Sequence, residues 1–353
     1  MKAPFFTVLI DTYNYGQYIE EAVASALAQD FPAEEREILV VDDGSTDDTQ
    51  ERVRKFGEAV RYLRKANGGQ ASAFNFGFEH ARGEVITLLD ADDLWLREKL
   101  ERVYEAFERH PEAGMVYHRT YLWKGGEETS EDTYFIPVTG NVPESRRALL
   151  QYPMVGTSCL AFRRNALKEL LPIPETLRSQ ADAYLTALII FVAPVAALPE
   201  FLGKYRLHGA NLFQMDKGRV SRSQLEHRMA MRGALLSSIQ DWLARHGQET
   251  GSPGIRAYLK QWTKAQERDG FALNVPSRWK YFKHLVEFPQ IYGEIMTGRH
   301  RANSYLRAFA ALFLGYHHLH LLDSVRMKTK RPENSSAVKS RAGEKEKVLT
   351  AKG

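Results

Sequence analysis

One cysteine, Cys159, stands in a chain of 353 residues. That excludes an intramolecular disulfide and any zinc site built on cysteines, and it points to a buried small residue in a reducing compartment. Long hydrophobic runs are also missing. The best candidate, Leu188 to Leu198, is interrupted by Pro194 and falls far short of the ~20 apolar residues of a membrane-spanning helix. At the amino end only Lys2 precedes the apolar stretch Phe5 to Ile10, and Asp11 ends it, so a first strand is expected there rather than a secretory signal. A cytoplasmic protein is the corresponding expectation. No Gly-x-Gly-x-x-Gly follows the first strand, and no Gly-Lys-Ser/Thr closes a glycine-rich loop, which leaves dinucleotide and P-loop sites unsupported. Concentrated positive charge is absent from the body. Of the net +4, residues 328–353 contribute eight basic side chains against three acidic ones, leaving about −1 for everything before them. A nucleic-acid partner is therefore not expected.

What is present begins with Asp90-Ala91-Asp92-Asp93, directly after the apolar run Val85 to Leu89. Such a run reads as a buried strand, so the acidic cluster falls at a strand's carboxyl end, where open α/β sheets place ligands. Asp90 and Asp92 are two apart and share a side of an extended chain, offering oxygen ligands of the kind Mg²⁺ or Mn²⁺ prefers. Three aspartates in four residues repel one another unless cations or basic groups offset them.

The first 120 residues alternate between strand and helix patterns. Strands are expected at Phe6 to Ile10, Glu37 to Val41, Val60 to Leu63 and Val85 to Leu89. Between and after them the spacing predicts helices from Tyr18, after Ser45 or Thr46 as N-cap with Asp47 and Asp48 in the first turn, over Gln70 to Ala81, and over Leu96 to Arg109. This alternation implies parallel pairing and right-handed crossovers. Past Glu112 it stops. Met115 to Trp123 reads as a strand leading to a Gly125-Gly126 turn, the segment to Pro153 is irregular, and a helical pattern starts near Ser223. Tyr305 to Leu322 carries an apolar stripe of Leu306, Phe309, Ala310, Phe313, Leu314, Leu321 and Leu322, broken by Arg307 and His317, His318 and His320. Two readings stay open for it, a packing helix first and an interfacial membrane helix second. The histidine cluster reads as surface rather than as a metal site. Residues 328–353 read as a disordered basic tail.

Four segments stand together in order: Ile10-Asp11-Thr12-Tyr13-Asn14-Tyr15-Gly16, Val40-Val41-Asp42-Asp43-Gly44-Ser45-Thr46-Asp47-Asp48-Thr49, Asn67-Gly68-Gly69-Gln70-Ala71-Ser72-Ala73-Phe74-Asn75, and Leu89-Asp90-Ala91-Asp92-Asp93-Leu94-Trp95. Together they resemble the family 2 glycosyltransferases, over about Thr7 to Asn211. The resemblance implies an α/β, GT-A type, Rossmann-like and mostly parallel sheet flanked by helices, with a C-terminal helical extension: a catalytic domain over 1–215, the extension over 216–327 and the tail over 328–353. It also implies an inverting transfer from a nucleoside-diphosphate sugar to a hydroxyl of a saccharide or lipid-linked acceptor, in surface polysaccharide or glycoconjugate synthesis, with possible peripheral contact at the inner membrane face. UDP is the family's commonest carrier; GDP and dTDP stay open.

By the same resemblance Thr12, Tyr13, Asn14 and Asp43 hold the nucleotide, with plain turn chemistry after a strand as the alternative for Tyr13 and Asn14. Asp92 binds the divalent metal (Mn²⁺ or Mg²⁺), and Asp90 contacts ribose or a metal-bound water, while Asp93 supports the turn. Ser179-Gln180-Ala181-Asp182-Ala183 occupies the place of the family's catalytic base, making Asp182 the candidate against its alternative as an ordinary first-turn helix residue. The usual neighbouring acid is replaced there. Tyr205-Arg206-Leu207-His208 resembles a late family segment, in which His208 completes the metal shell, caps a loop or touches the diphosphate, and Arg206 binds diphosphate or pairs with an acid. Asp11 stands where the family more often has proline, with no role assigned. Two alternatives stay in view: a sugar nucleotidyltransferase, disfavoured because Thr12 to Gly16 has no basic residue, and a non-catalytic nucleotide-sugar-binding scaffold.

Overall fold

The structure, a computed structural model, describes residues 3–129, 137–142, 156–208, 211, 221–292 and 302–314. The tail 328–353, the three clustered histidines and most of the segment between Gly125 and Pro153 lie outside the described residues. Two compact units divide the chain, Met1–Leu273 and Asn274–Gly353.

Unit 1 is built on β1 (Phe6–Thr12), β2 (Arg36–Asp42), β3 (Arg61–Arg64) and β4 (Val85–Asp90), the expected strands with slightly longer carboxyl ends. They pair in parallel in the order β3-β2-β1-β4. Strands covered on both faces are apolar at most positions, which is why β1, β2 and β4 were legible, while β3 at the sheet edge is only half-buried. The order continues through β8 (Leu160–Arg163), β6 (Met115–Lys124), β9 (Val195–Arg206) and the two-residue β5 (Leu94–Trp95), with β7 (Glu127–Thr129) hairpinned to β6. Beyond β4 the sheet is mixed: β8 is antiparallel to both β4 and β6, β9 is parallel to β6, and β5 antiparallel to β9.

Helices α1 (Gly16–Leu27) and α4 (Lys99–Arg109) bury their apolar sides on one face of the sheet; α3 (Gln70–His80) and α6 (Ala181–Ile189) cover the other. At Gly77 of α3 an added Cβ would stand 2.1 Å from Leu9 Cδ1, so the Leu9 side chain of β1 fills the space that a larger residue would take. Two helix starts differ from expectation. α2 (Thr49–Arg54) begins after Asp48, because the Ser45 and Thr46 hydroxyls are engaged across the loop by Asn14, and Asp47 receives Thr49 N instead at 3.1 Å. α4 begins at Lys99 rather than Leu96, because Leu94 and Trp95 pair with Lys204 and Gly203 of β9. α5 (Arg164–Lys168), α7 (Arg222–Arg245) and α8 (Pro253–Leu273) complete the unit. α7 places Leu235, Ile239 and Leu243 in the α3/α6 core, and Tyr258 of α8 donates to the Ala187 carbonyl at 2.7 Å. The unit thus takes in α7 and α8, both of which follow residue 215.

Unit 2 contains α9 (Arg278–Tyr292) and a helix over 302–314, α10. No helix among the described residues is long and apolar enough to cross a membrane.

One buried group resists the logic of the core. Lys99 is fully buried, donating to Thr87 Oγ1 at 2.5 Å and lying 3.1 Å from the centre of the Trp95 ring. Burial pushes its amine well below the usual lysine range. A folded pKa below the unfolded one means that the unfolded chain binds the extra proton, so this group costs stability at neutral pH and the cost fades as pH rises toward the ordinary lysine value. Lys99→Met is expected to raise stability by about 1 kcal/mol or more at pH 7. Thermal melts of the two chains should converge as pH is raised toward 10.

Candidate active site

Strand register gathers the site. Asp11 of β1 lies opposite Asp90 of β4, and Thr12 opposite Asp42 of β2, so the loops leaving all three strands emerge side by side. Successive strand residues alternate faces, which puts Asp11 and Asp90 on the side of Leu9 and Leu88, the face covered by α3 and α6. Asp182, the second residue of α6, joins them there, since its charge bears on both Asp11 and Asp90.

The acidic turn divides its labour. Asp93 is buried and spent on structure: Oδ2 accepts from Ser158 Oγ at 2.6 Å and Oδ1 from the Arg206 amide at 2.9 Å. Asp92 Oδ2 lies 2.7 Å from His208 Nε2, bringing together two residues 116 apart in sequence. The His208 ring rests against Tyr18 at 4.8 Å, and its amide donates to Asn211 Oδ1 at 2.6 Å. Among the described residues, Asp90, Asp92 and Asp93 form a group whose ligand atoms all lie within 4.8 Å of one another. Hard carboxylate oxygens beside an imidazole suit Mn²⁺ or Mg²⁺. Arg206 does not face this space as a diphosphate clamp. Its Nε donates to the Asp92 carbonyl at 2.7 Å, its guanidinium pairs with Glu21 at 2.9 Å, and it stacks over Trp123 and Tyr18.

The nucleotide candidates fall at the mouth. Tyr13 is 45% exposed, available for a flat ring to stack on. Thr12 is buried with its hydroxyl unpartnered. Asn14 adopts a left-handed backbone, φ 57°, and its amide oxygen accepts from the Thr46 amide at 2.7 Å, tying the first loop to the second. Asp43 is saturated: Gly68 N, Gly69 N, Asn67 Nδ2 and Lys65 Nζ all donate to it within 3.1 Å. It therefore holds the Asn67-Gly68-Gly69 turn at the start of α3. Gly69, at φ 89°, is required there, since a Cβ would meet Arg178 Cα at 2.6 Å.

Asp182 is 8% exposed. Its Oδ2 accepts from Thr157 Oγ1 at 3.3 Å and Oδ1 from the Ala183 amide at 2.8 Å. Gln180, left-handed at φ 66°, sets the helix start, and the Ala181 amide donates to Gln70 Oε1 at 3.0 Å. Burial raises the Asp182 carboxyl above the ordinary aspartate value, making it a stronger base.

Sequence reasoning assigned nothing to Asp11, Thr157 or Ser158. Asp11 Oδ1 is buried without a partner, and burial, reinforced by Asp92 and Asp182, pushes its pKa up to about 7. Asp93 is pushed up to about 8, first by burial and then by Asp92, and Asp90 rises well above its usual range through burial and Asp11. The available signal was a charge in the middle of an apolar strand end, which fixes no role until the register with Asp90 is known.

Folded pKa values above the unfolded ones mean that the native chain binds more protons between pH 4 and 8, so stability is full below about pH 4 as far as these groups are concerned and is lost as pH rises through about 7 and 8. Without divalent cation, the melting temperature of the native chain should fall more steeply between pH 5 and 8 than that of Asp11→Asn. Saturating Mn²⁺ should flatten the native profile.

Comparison with known proteins agrees with this geometry. Residues 7–171 match the profile described as glycosyl transferase family 2. An uncharacterized glycosyltransferase of Nostoc sp. is 35% identical over 222 residues, 58% of this chain and 65% of its own length, so the chain spans slightly under two thirds of that relative. Among solved structures, S. aureus TarS 1-349 in complex with UDP-GlcNAc superposes with a TM-score of 0.58 at 21% identity, covering 92% of each chain. Mannosyltransferase PcManGT from Pyrobaculum calidifontis in complex with GDP-Man and Mn²⁺ gives 0.55 at 22% identity, covering 91% of this chain and 84% of that one. These share the GT-A fold. The ordered strand-end motifs, the profile match over residues 7–171 and the Nostoc relative thus agree in their similarity to glycosyl transferase family 2.

Proposed function

We propose that this chain transfers a sugar from a nucleoside-diphosphate donor, UDP in the first instance, to a hydroxyl of a saccharide or lipid-linked acceptor, with inversion. The observation that carries the reading is the placement of Asp182, buried and raised in basicity, on the same sheet face as Asp90, with the Asp92–His208 pair on the neighbouring turn. The family 2 profile match over residues 7–171 and the sugar nucleotides bound by the solved neighbours support the donor class.

In this reading Tyr13 stacks on the base, and Thr12 and Asn14 border the ribose. Asp43 serves the nucleotide through the 67–69 turn that it holds. Asp92 and His208 hold the divalent cation, with Asp90 beside ribose or a coordinated water. The cation, when bound, offsets charge growing on the departing diphosphate. Asp182 accepts the acceptor's hydroxyl proton as that oxygen bonds to the anomeric carbon from the face opposite the breaking bond to diphosphate. Atoms and charge balance: the nucleoside diphosphate leaves with the bonding pair, and the proton stays on Asp182 until solvent takes it. The reading includes surface polysaccharide or glycoconjugate synthesis, and peripheral membrane contact where the acceptor is lipid-linked. The division at 1–215, 216–327 and 328–353 belongs to the same proposal.

Calorimetry with UDP, GDP and dTDP tests the donor. One nucleotide should bind tightly only with Mn²⁺ or Mg²⁺, and Asp92→Ala should abolish that cation dependence. Asp182→Asn should keep nucleotide affinity while lowering turnover by about 10² to 10⁴. Unchanged turnover in that variant would remove the assigned base.

A further inference from the structure

α10 is built inside out. Its small residues Ala308 and Ala311 are fully buried, while Leu306, Phe309 and Phe313 are 67%, 61% and 76% exposed. Burial free energy grows with apolar area, so a helix docked for its own stability would turn its bulky side chains inward. The stripe in the sequence is real, and it points outward.

The exposed side chains are contiguous. Leu306, Phe309 and Phe313 follow one another at spacings of three and four along one helix face. The Phe309 ring meets Phe282 of α9 at 6.0 Å, and Phe282 stacks on Trp279 at 5.3 Å. Trp279 is itself 65% exposed. A continuous bulky apolar surface of this kind marks an interaction site.

Charge selects the occupant. Arg278, Lys280, Lys283 and Arg307 are exposed among the described residues of the unit, where Glu287 is the one acid. Over all of 274–353 the sequence holds fifteen basic and six acidic side chains, a net +9, against −5 for residues 1–273. A second copy of the same patch would meet it with like charge. An anionic lipid surface matches both features of the patch, with an apolar layer for the Phe and Leu side chains and phosphate headgroups of sign opposite to its net charge, and Trp279 is suited to the boundary between them. We propose that α9 and α10 bind in the plane of an anionic membrane surface through Trp279, Leu306, Phe309 and Phe313, with Arg278, Lys280, Lys283 and Arg307 at headgroup level. This names the surface behind the peripheral contact of the transfer reading and rests on that reading.

The test is co-sedimentation of the full chain with vesicles of phosphatidylcholine alone or mixed equally with phosphatidylglycerol, without donor or acceptor. Binding is expected to the anionic vesicles, to weaken as salt is raised, and to fall roughly hundredfold in the Phe309→Ser/Phe313→Ser double variant. Lys280→Glu/Lys283→Glu should lose binding with its apolar face intact. No binding to anionic vesicles, or equal binding by native and double-variant chains, overturns the proposal. So does a native dimer that the double variant dissolves, which would show a second copy on the patch. Nucleotide titration of the same preparations separates the two readings. Intact Mn²⁺-dependent nucleotide binding with failed sedimentation overturns the surface alone; sedimentation without nucleotide binding overturns the transfer reading.

Discussion

Mutual repulsion among carboxylates is the constraint on which the rest of this site depends. Parallel pairing of β1 and β4 sets Asp11 beside Asp90, and α6 adds Asp182 to the same face. Asp92 and Asp93 stand on the turn just beyond. Like charges held this close and out of water do not stay ionised together without compensation. Burial and this repulsion push Asp11, Asp90 and Asp93 toward the protonated form. In the proposed reading a divalent cation would provide it more completely, with the His208 imidazole, 2.7 Å from Asp92, as a further ligand.

The surroundings keep the cluster from relaxing. Asp93 is fastened from two sides, by Ser158 on the segment before β8 and by the end of β9, so the acidic turn cannot swing into solvent. Ser158 also receives the Asp90 amide at 3.1 Å, and its carbonyl receives Trp95 Nε1 at 2.9 Å. Thr157, the adjacent residue, holds Asp182. Two neighbouring hydroxyls therefore fix the assigned cation turn and the assigned base relative to one another, which is the kind of preorganisation that group transfer requires.

Much of this was legible in the sequence for a simple reason. Parallel strands buried on both faces are apolar throughout, so Phe6–Thr12, Arg36–Asp42 and Val85–Asp90 announce themselves, and the polar residues that end them mark the functional edge. Ordered motifs at three such edges carried the family resemblance. What was illegible depended on partners far along the chain. Ser45 and Thr46 look like helix caps until Asn14 claims them. Leu94 and Trp95 look helical until β9 pairs with them. The hold of Asp43 on the 65–69 segment, through Lys65, Asn67 and Gly69, appears only once that segment is folded back beside β2. The α10 stripe has the right period for a packed helix, but periodicity reports that a face is apolar and not what it faces.

In the proposed reading a cation replaces protons on this carboxylate cluster. Titrating Mn²⁺ with UDP into the native chain at pH 6, in buffers of different ionisation enthalpy and with the Mn²⁺–UDP heat subtracted, counts those protons. Net release of about one proton or more is expected, reduced in Asp11→Asn. Cation-dependent binding with no release, and no difference in that variant, would contradict it.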